Sequence, residues 1–233
     1  MTNRNGYDRI LTRLEGFYRA QETALTVSFA QSLDGAIAFS PGTRTILSND
    51  ASLRMTHGLR ACHDAVLVGV GTVLSDDPRL TVRGPCPQGQ PARVVLDRTL
   101  RTPADAALFQ CPEGGPVCIA TRTDVSDERQ RALEAAGATI WRWEESDFEP
   151  CALRSSLARH GIRRAMLEGG ATLISHVLDS RCFDYTVITI SPQLHPGADA
   201  VRYTTGRSVH TFDLTHCEQT LLQGDIILDG PVR

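Results

Sequence analysis

Short apolar runs rich in β-forming residues recur along this chain, and stretches of helical character separate most of them. LTVSFAQS (25–32), DAVLVGV (64–70), PARVVLD (91–97), GPVCIAT (115–121), ATIWRW (138–143) and RRAMLE (163–168) read as strands. NDASLRMTHGLRA (49–61), DERQRALEAAG (127–137), PCALRSSLARHG (150–161) and GGATLISHVLDS (169–180) read as helices, with cap residues or glycines at their ends. Strands that are apolar throughout are buried on both faces, and alternation with helices brings successive strands parallel. Toward the C-terminus the helices stop: DYTVITISP (184–192) and QGDIILDG (223–230) are strands, and SVHTFDLTHCEQT (208–220) reads as a third. The expectation is an α/β protein with a mainly parallel sheet, flanked by helices and finished by antiparallel C-terminal strands.

Ile10, Leu11, Leu14, Phe17 and Tyr18 recur at helical spacing ahead of the first strand, so residues 6–20 predict an amphipathic helix. The simplest division is an N-terminal helical extension, 1–23, and one domain, 24–233. A net charge of -3 gives no electrostatic pull toward nucleic acid or an anionic membrane. All 24 basic residues are arginine, which excludes a Schiff-base lysine and a P-loop lysine. The seven cysteines are scattered and form no C-x-x-C pair, so neither a zinc site nor a disulfide framework is expected. The N-terminus has no apolar signal region and no run is long enough for a membrane helix, so the expected location is cytoplasmic.

Three motifs carry chemistry. In GVGTVLSDDPRLTVR (69–83) a strand ends in glycines and runs into polar groups. A Rossmann fingerprint would need a third glycine where Leu74 stands, and Pro78 interrupts any long helix. The alternative is a plain tight turn, which leaves Thr72, Asp76 and Arg83 unexplained at a strand's carboxyl end, where open α/β sheets bind ligands. In MLEGGATLISH (166–176) a strand delivers Glu168 and two glycines open a helix, a place where backbone N–H groups can hold a pyrophosphate. A plain strand–helix turn is the alternative there. In SLDGAIA (32–38) Asp34-Gly35 is by itself only a turn signal.

Together AQSLDG, LRACHDAVLVGVGTVLSDDPRLTVR, PARVVLD and MLEGGATL resemble, in order and spacing, the riboflavin-biosynthesis pyrimidine reductases. These are the reductase (C-terminal) domain of RibD and its stand-alone relatives. The resemblance covers about Leu25 to the C-terminus. It implies a dihydrofolate-reductase-like fold, NADPH as cofactor and a homodimer. It implies that Ala30, Ile46, Thr72, Asp76 and the run Gly170, Ala171, Thr172, Leu173, Ile174, Ser175 and His176 contact the cofactor. It places Arg44, Arg60, Leu80, Arg83 and Glu168 against the substrate, a pyrimidine ribosyl phosphate. Two arginine forks converging on a phosphate make bidentate, charge-assisted bonds. The implied reaction is NADPH-dependent reduction of the ribosyl chain of a 5-amino-6-(ribosylamino)pyrimidine 5′-phosphate to the ribityl form. Asp34 and Glu168 are the candidate proton donors, and no metal is needed.

Four positions depart from the family pattern. Ser28 stands where many members have lysine, and Ile46 replaces a tryptophan near the cofactor. Arg44 stands where a serine meets the substrate, and Arg98 follows VVLD where serine is common and could reach the 2′-phosphate. The sequence given has one H-x-E, His216-Cys217-Glu218, but no P-C-x-x-C to go with it, so it lacks the deaminase signature. Two other readings stand beside the first: the same fold and cofactor acting on a different pterin or pyrimidine, and a catalytically silent NADPH-binding protein.

Overall fold

The computed structural model describes residues 4–42, 45–202 and 213–232. Among them the strands are β1 (Ala24–Ser32), β2 (Ala36–Ala38), β3 (Ala65–Gly69), β4 (Ala92–Leu96), β5 (Val117–Arg122), β6 (Ala138–Trp143), β7 (Arg164–Leu167), β8 (Tyr185–Ser191), β9 (Val201–Arg202), β10 (Glu218–Leu222) and β11 (Asp225–Pro231). The helices are α1 (Arg4–Arg19), α2 (Asp50–Ala61), α3 (Val70–Asp76), α4 (Asp127–Ala135), α5 (Leu153–Ala158) and α6 (Ala171–Ser180), with a 3-10 turn at Glu145–Phe148.

The described residues form one nine-stranded sheet in the order β10-β11-β8-β1-β7-β3-β4-β5-β6. From β8 to β6 every neighbouring pair is parallel. β11 runs antiparallel to both β8 and β10. The expected architecture is the one observed. The central strands β3 and β4 are buried almost end to end, whereas the edge strand β6 alternates buried and exposed residues. On one face α5 and α6 cover Leu25, Val27, Leu67, Val94 and Leu167. On the other, α3 and α4 cover Val66, Val68, Val95 and Ile119, while α1 and α2 cover Met166, Tyr185, Val187 and Ile227. The N-terminal helix is built into this face: Ile10, Leu14 and Tyr18 are buried, and Arg13 donates Nε to Asp229 at 2.8 Å.

Three features differ from the sequence expectations. The segment after Gly69 is a helix rather than a loop. Val70 and Val73 are buried one turn apart in the core with Leu80 and Leu100, and this contact stabilises a seven-residue helix that propensity alone would not. Asp77, in the left-handed region at φ 42°, and Pro78 end it. The two-stranded β2–β9 ribbon has strands too short to show a period. Cys151 and Cys182, expected to be unpaired, form a disulfide. They flank the β7–α6 unit at its two ends, which brings cysteines 31 residues apart to a Cα separation of 4.8 Å. Of the predicted strand 208–220, residues 208–212 lie outside the described residues, and its end forms β10.

Candidate active site

The carboxyl ends of the parallel strands open onto one cleft of about 1180 Å³. Ala30 of β1, Gly69 of β3, Leu96 of β4 and Thr189 of β8 reach it, as does Glu168, the residue after β7. Ligands of open parallel sheets bind at this end.

Two ligand-binding features meet there. The first is the start of α6. Its cap residue, Gly170, supplies no side chain, and no acidic residue sits in the first turn, so main-chain N–H groups meet the cleft with their partial positive charge uncompensated. Close approach requires a glycine at 169 and leaves little room for a side chain at 170. A Cβ on Gly169 would lie 2.9 Å from Leu173 Cβ, and one on Gly170 would lie 3.2 Å from Thr72 Oγ1. Gly170 donates its N–H to that hydroxyl at 3.0 Å, which locks α3 to α6. The glycines, the bare helix start and the size of the cleft fit the pyrophosphate of a dinucleotide.

The second is Arg60 and Glu168. Arg60 donates Nε and Nη2 to the two carboxylate oxygens at 2.7 and 2.6 Å, and Nη1 to the Thr81 carbonyl at 2.8 Å. Burial works against the Arg60 charge, but the Glu168 carboxylate more than offsets it and raises the Arg60 pKa above its ordinary value. Glu168 keeps further lone pairs for a donor arriving in the cleft.

The cleft collects Ala30, Ile46, Arg60, Thr72, Asp76, Arg98, Glu168, Gly170, Ala171, Thr172, Leu173, Ile174 and His176. Arg98 spans to Glu145 at 2.9 Å and lies 4.8 Å over the Phe148 ring. Four candidate residues do not line it. Ser175 is buried on the inner side of α6, because only one side of the helix faces the cleft. Leu80 is buried in the core with φ 56°. Arg83 is exposed at the end of the same loop. Asp34 accepts hydrogen bonds from Ser32 at 2.6 Å, the His195 N–H at 3.0 Å and Arg202 at 3.0 Å. The Ser32 hydroxyl first, then the His195 N–H, hold its carboxyl down at about 2. Asp34 is therefore an ionised brace for the β1–β2 turn rather than a holder of a proton at neutral pH. Arg44 lies outside the described residues.

Thr56 and Arg101 line the cleft and were not anticipated. Thr56 stands one helical turn before Arg60, a spacing that puts both on one side of α2. Arg101 follows Arg98 by three residues in an irregular segment, where no period signals its direction.

The model of the RibD C-terminal domain matches residues 23–225. The chain belongs to that family. Among RibD-domain relatives, the 2,5-diamino-6-ribosylamino-4(3H)-pyrimidinone 5′-phosphate reductase of Archaeoglobus fulgidus is 34% identical over 191 residues, 78% of this chain and 86% of that protein. The protein of the same name from Methanothermobacter thermautotrophicus is 35% identical over 77% of this chain and 82% of its own length. RibD of Acinetobacter baumannii shares the fold at a TM-score of 0.73 and 24% identity, with 91% of this chain aligned to 59% of that one. The Saccharomyces cerevisiae riboflavin biosynthesis reductase Rib7 does so at 0.70 and 23%, covering 91% of this chain and 90% of its own.

Proposed function

We propose that the chain is an NADPH-dependent reductase that converts the ribosyl chain of an aminopyrimidine 5′-phosphate to the ribityl form in riboflavin biosynthesis. The observation that carries this reading is one cleft, in a RibD-family chain, where an uncapped Gly-Gly helix start stands beside a half-buried Arg60–Glu168 pair. Bound NADPH would supply hydride to C1′ of the ring-opened, imine form of the substrate, and the imine nitrogen would take its proton from solvent water to complete the amine. The first turn of α6 holds the pyrophosphate, and Thr72 fixes that turn through Gly170. Ala30 and Ile46 line the cleft as apolar wall. Glu168, paired with Arg60, accepts bonds from substrate hydroxyls or an amine, and Arg83, outside the cleft lining but two residues after the Thr81 carbonyl that Arg60 holds, would reach in to the phosphate.

The two archaeal relatives, which this chain covers over more than four fifths of their length, are named for the diamino substrate. We therefore assign the undeaminated pyrimidine to this chain. A second reading, a different pterin or pyrimidine, draws on Ile46, which is 59% exposed on the cleft wall in place of the family's tryptophan. A homodimer fits the sheet face where Ile188, Ile190, Ile226 and Leu228 are only half-buried or exposed on adjacent strands β8 and β11. No described helix is long and apolar enough to cross a membrane. Five free cysteines fit a reducing cytoplasm, and the Cys151–Cys182 bond weighs the other way.

The test is NADPH oxidation by purified protein with the diamino and the deaminated ribosylaminopyrimidine phosphates offered separately. Turnover of the diamino compound is expected. Turnover of the deaminated one alone would reverse the substrate assignment, and no turnover of either with NADPH bound would favour another substrate.

A further inference from the structure

The run Leu80–Arg83 has no regular secondary structure, yet side chains hold its main chain at successive residues. Arg60 on α2 donates to the Thr81 carbonyl at 2.8 Å. His57, on the same helix, accepts the Arg83 N–H at Nδ1 at 3.2 Å. Gln90, just ahead of β4, takes both polar groups of Val82. Its Oε1 accepts the Val82 N–H at 2.8 Å, and its Nε2 donates to the Val82 carbonyl at 3.0 Å. A primary amide offers the same adjacent acceptor and donor as a peptide unit, so one side chain does the work of a neighbouring strand. Asparagine has the same groups on a stem one methylene shorter, and a carboxylate has no donor.

Gln90 itself is presented from a fixed backbone. Pro91 follows it, with φ set by its ring. The chain there lies so close to Gly115 that a Cβ on that glycine would come within 2.8 Å of the Gln90 carbonyl oxygen. Val82 is 6% exposed, so breaking its two bonds to Gln90 would strand buried polar groups or let the peptide turn. The next residue is Arg83, whose side chain is long and exposed. What sets its direction is the main chain that Gln90 and His57 hold.

We propose that Gln90 is a positioning residue for the substrate: by pairing with Val82 it aims Arg83 at the substrate's phosphate. This rests on the reading of Arg83 as a substrate contact. The role is separable from cofactor binding, because neither Gln90 nor Val82 lines the cleft at the α6 start.

The experiment measures KM for substrate and for NADPH in wild type, Gln90→Ala, Gln90→Glu, Arg83→Ala and the Gln90→Ala/Arg83→Ala double variant, each checked for folding by its melting curve. Gln90→Ala is expected to raise the substrate KM about tenfold with the NADPH KM unchanged. In the Arg83→Ala background it should add nothing, because its effect passes through Arg83. Gln90→Glu should match Gln90→Ala at pH 8 and begin to recover only as pH falls below about 5, as its carboxyl gains the proton that restores a donor. A raised KM in Arg83→Ala with a normal one in Gln90→Ala overturns the positioning role alone, as do additive effects or an equal rise for both ligands. A normal substrate KM in Arg83→Ala overturns the reading of Arg83 and the positioning role with it.

Discussion

The Arg60 and Glu168 side chains are 14% and 15% exposed, so each is largely stripped of water and depends on the other. Removing one member of such a pair leaves an uncompensated charge, which costs more than the pair contributes over an apolar substitute. Glu168→Gln should therefore lower unfolding stability by about 3 kcal/mol, and the double variant Arg60→Met/Glu168→Leu should regain most of that while remaining inactive. Urea unfolding and NADPH oxidation on the same samples check both halves, and equal loss in the single and double variants would contradict the pair as described. Gly170 makes the complementary case at the cofactor end. Valine there would push its Cβ to 3.2 Å from Thr72 Oγ1 and set methyl groups in front of the first-turn N–H groups of α6. Gly170→Val should abolish NADPH binding by calorimetry, and wild-type affinity in a folded variant would remove the helix start from the site.

The helix α1 is tied to the rest of the molecule by a buried relay. His63 Nδ1 donates to the Leu59 carbonyl at 2.6 Å, which leaves Nε2 to accept the Tyr18 hydroxyl proton, and Thr26 Oγ1 lies 2.5 Å from that hydroxyl. The arrangement needs a neutral imidazole, and burial drives the His63 pKa from 6.5 down to about 4. Between those values the unfolded chain carries a proton that the folded one lacks, so stability falls as pH falls from about 6.5 and levels off near 4, a total of about 3 kcal/mol. His63→Gln should flatten that slope in urea unfolding at pH 7 and pH 4.5, and an unchanged slope would place the acid sensitivity elsewhere. Periodicity revealed α1 itself, because Ile10, Leu14 and Tyr18 face one side; it could not show that Tyr18 ends against His63, a contact 45 residues away. The same limit explains α3, whose two buried valines meet Leu80 and Leu100 only after the sheet forms. It also explains Leu80 and Ser175. The family resemblance placed them near ligand, but φ 56° at Leu80 and the helical rotation at Ser175 turn both side chains into the core.

On the scale of the whole molecule, the alternation of strands and helices made the parallel sheet legible, and the glycine pair marked its ligand-binding end. Strand order was not legible, since β1 lies between β7 and β8 and their pairing depends on contacts more than 130 residues apart in the chain. Nor was the link that order creates between the walls of the cleft. Phe148, Glu149 and Pro150 line the cleft immediately before Cys151, and His176, Asp179 and Ser180 line it just before Cys182. The disulfide closes a loop that contains β7, Glu168 and all of α6, so it restrains the part of the unfolded chain that must assemble the site. For a separation of 31 residues the loop-closure gain is about 3–4 kcal/mol. Reduction by dithiothreitol should then lower Tm by roughly 6–16 °C. Cys182→Ser should show the same lower Tm with or without reductant. NADPH affinity should weaken in both, because the wall that carries α6 loses its covalent tether to the segment across the cleft. A Tm that ignores reductant in the wild type would mean that the two thiols stay unbonded in solution, and a lower Tm with unchanged NADPH affinity would confine the bond to stability.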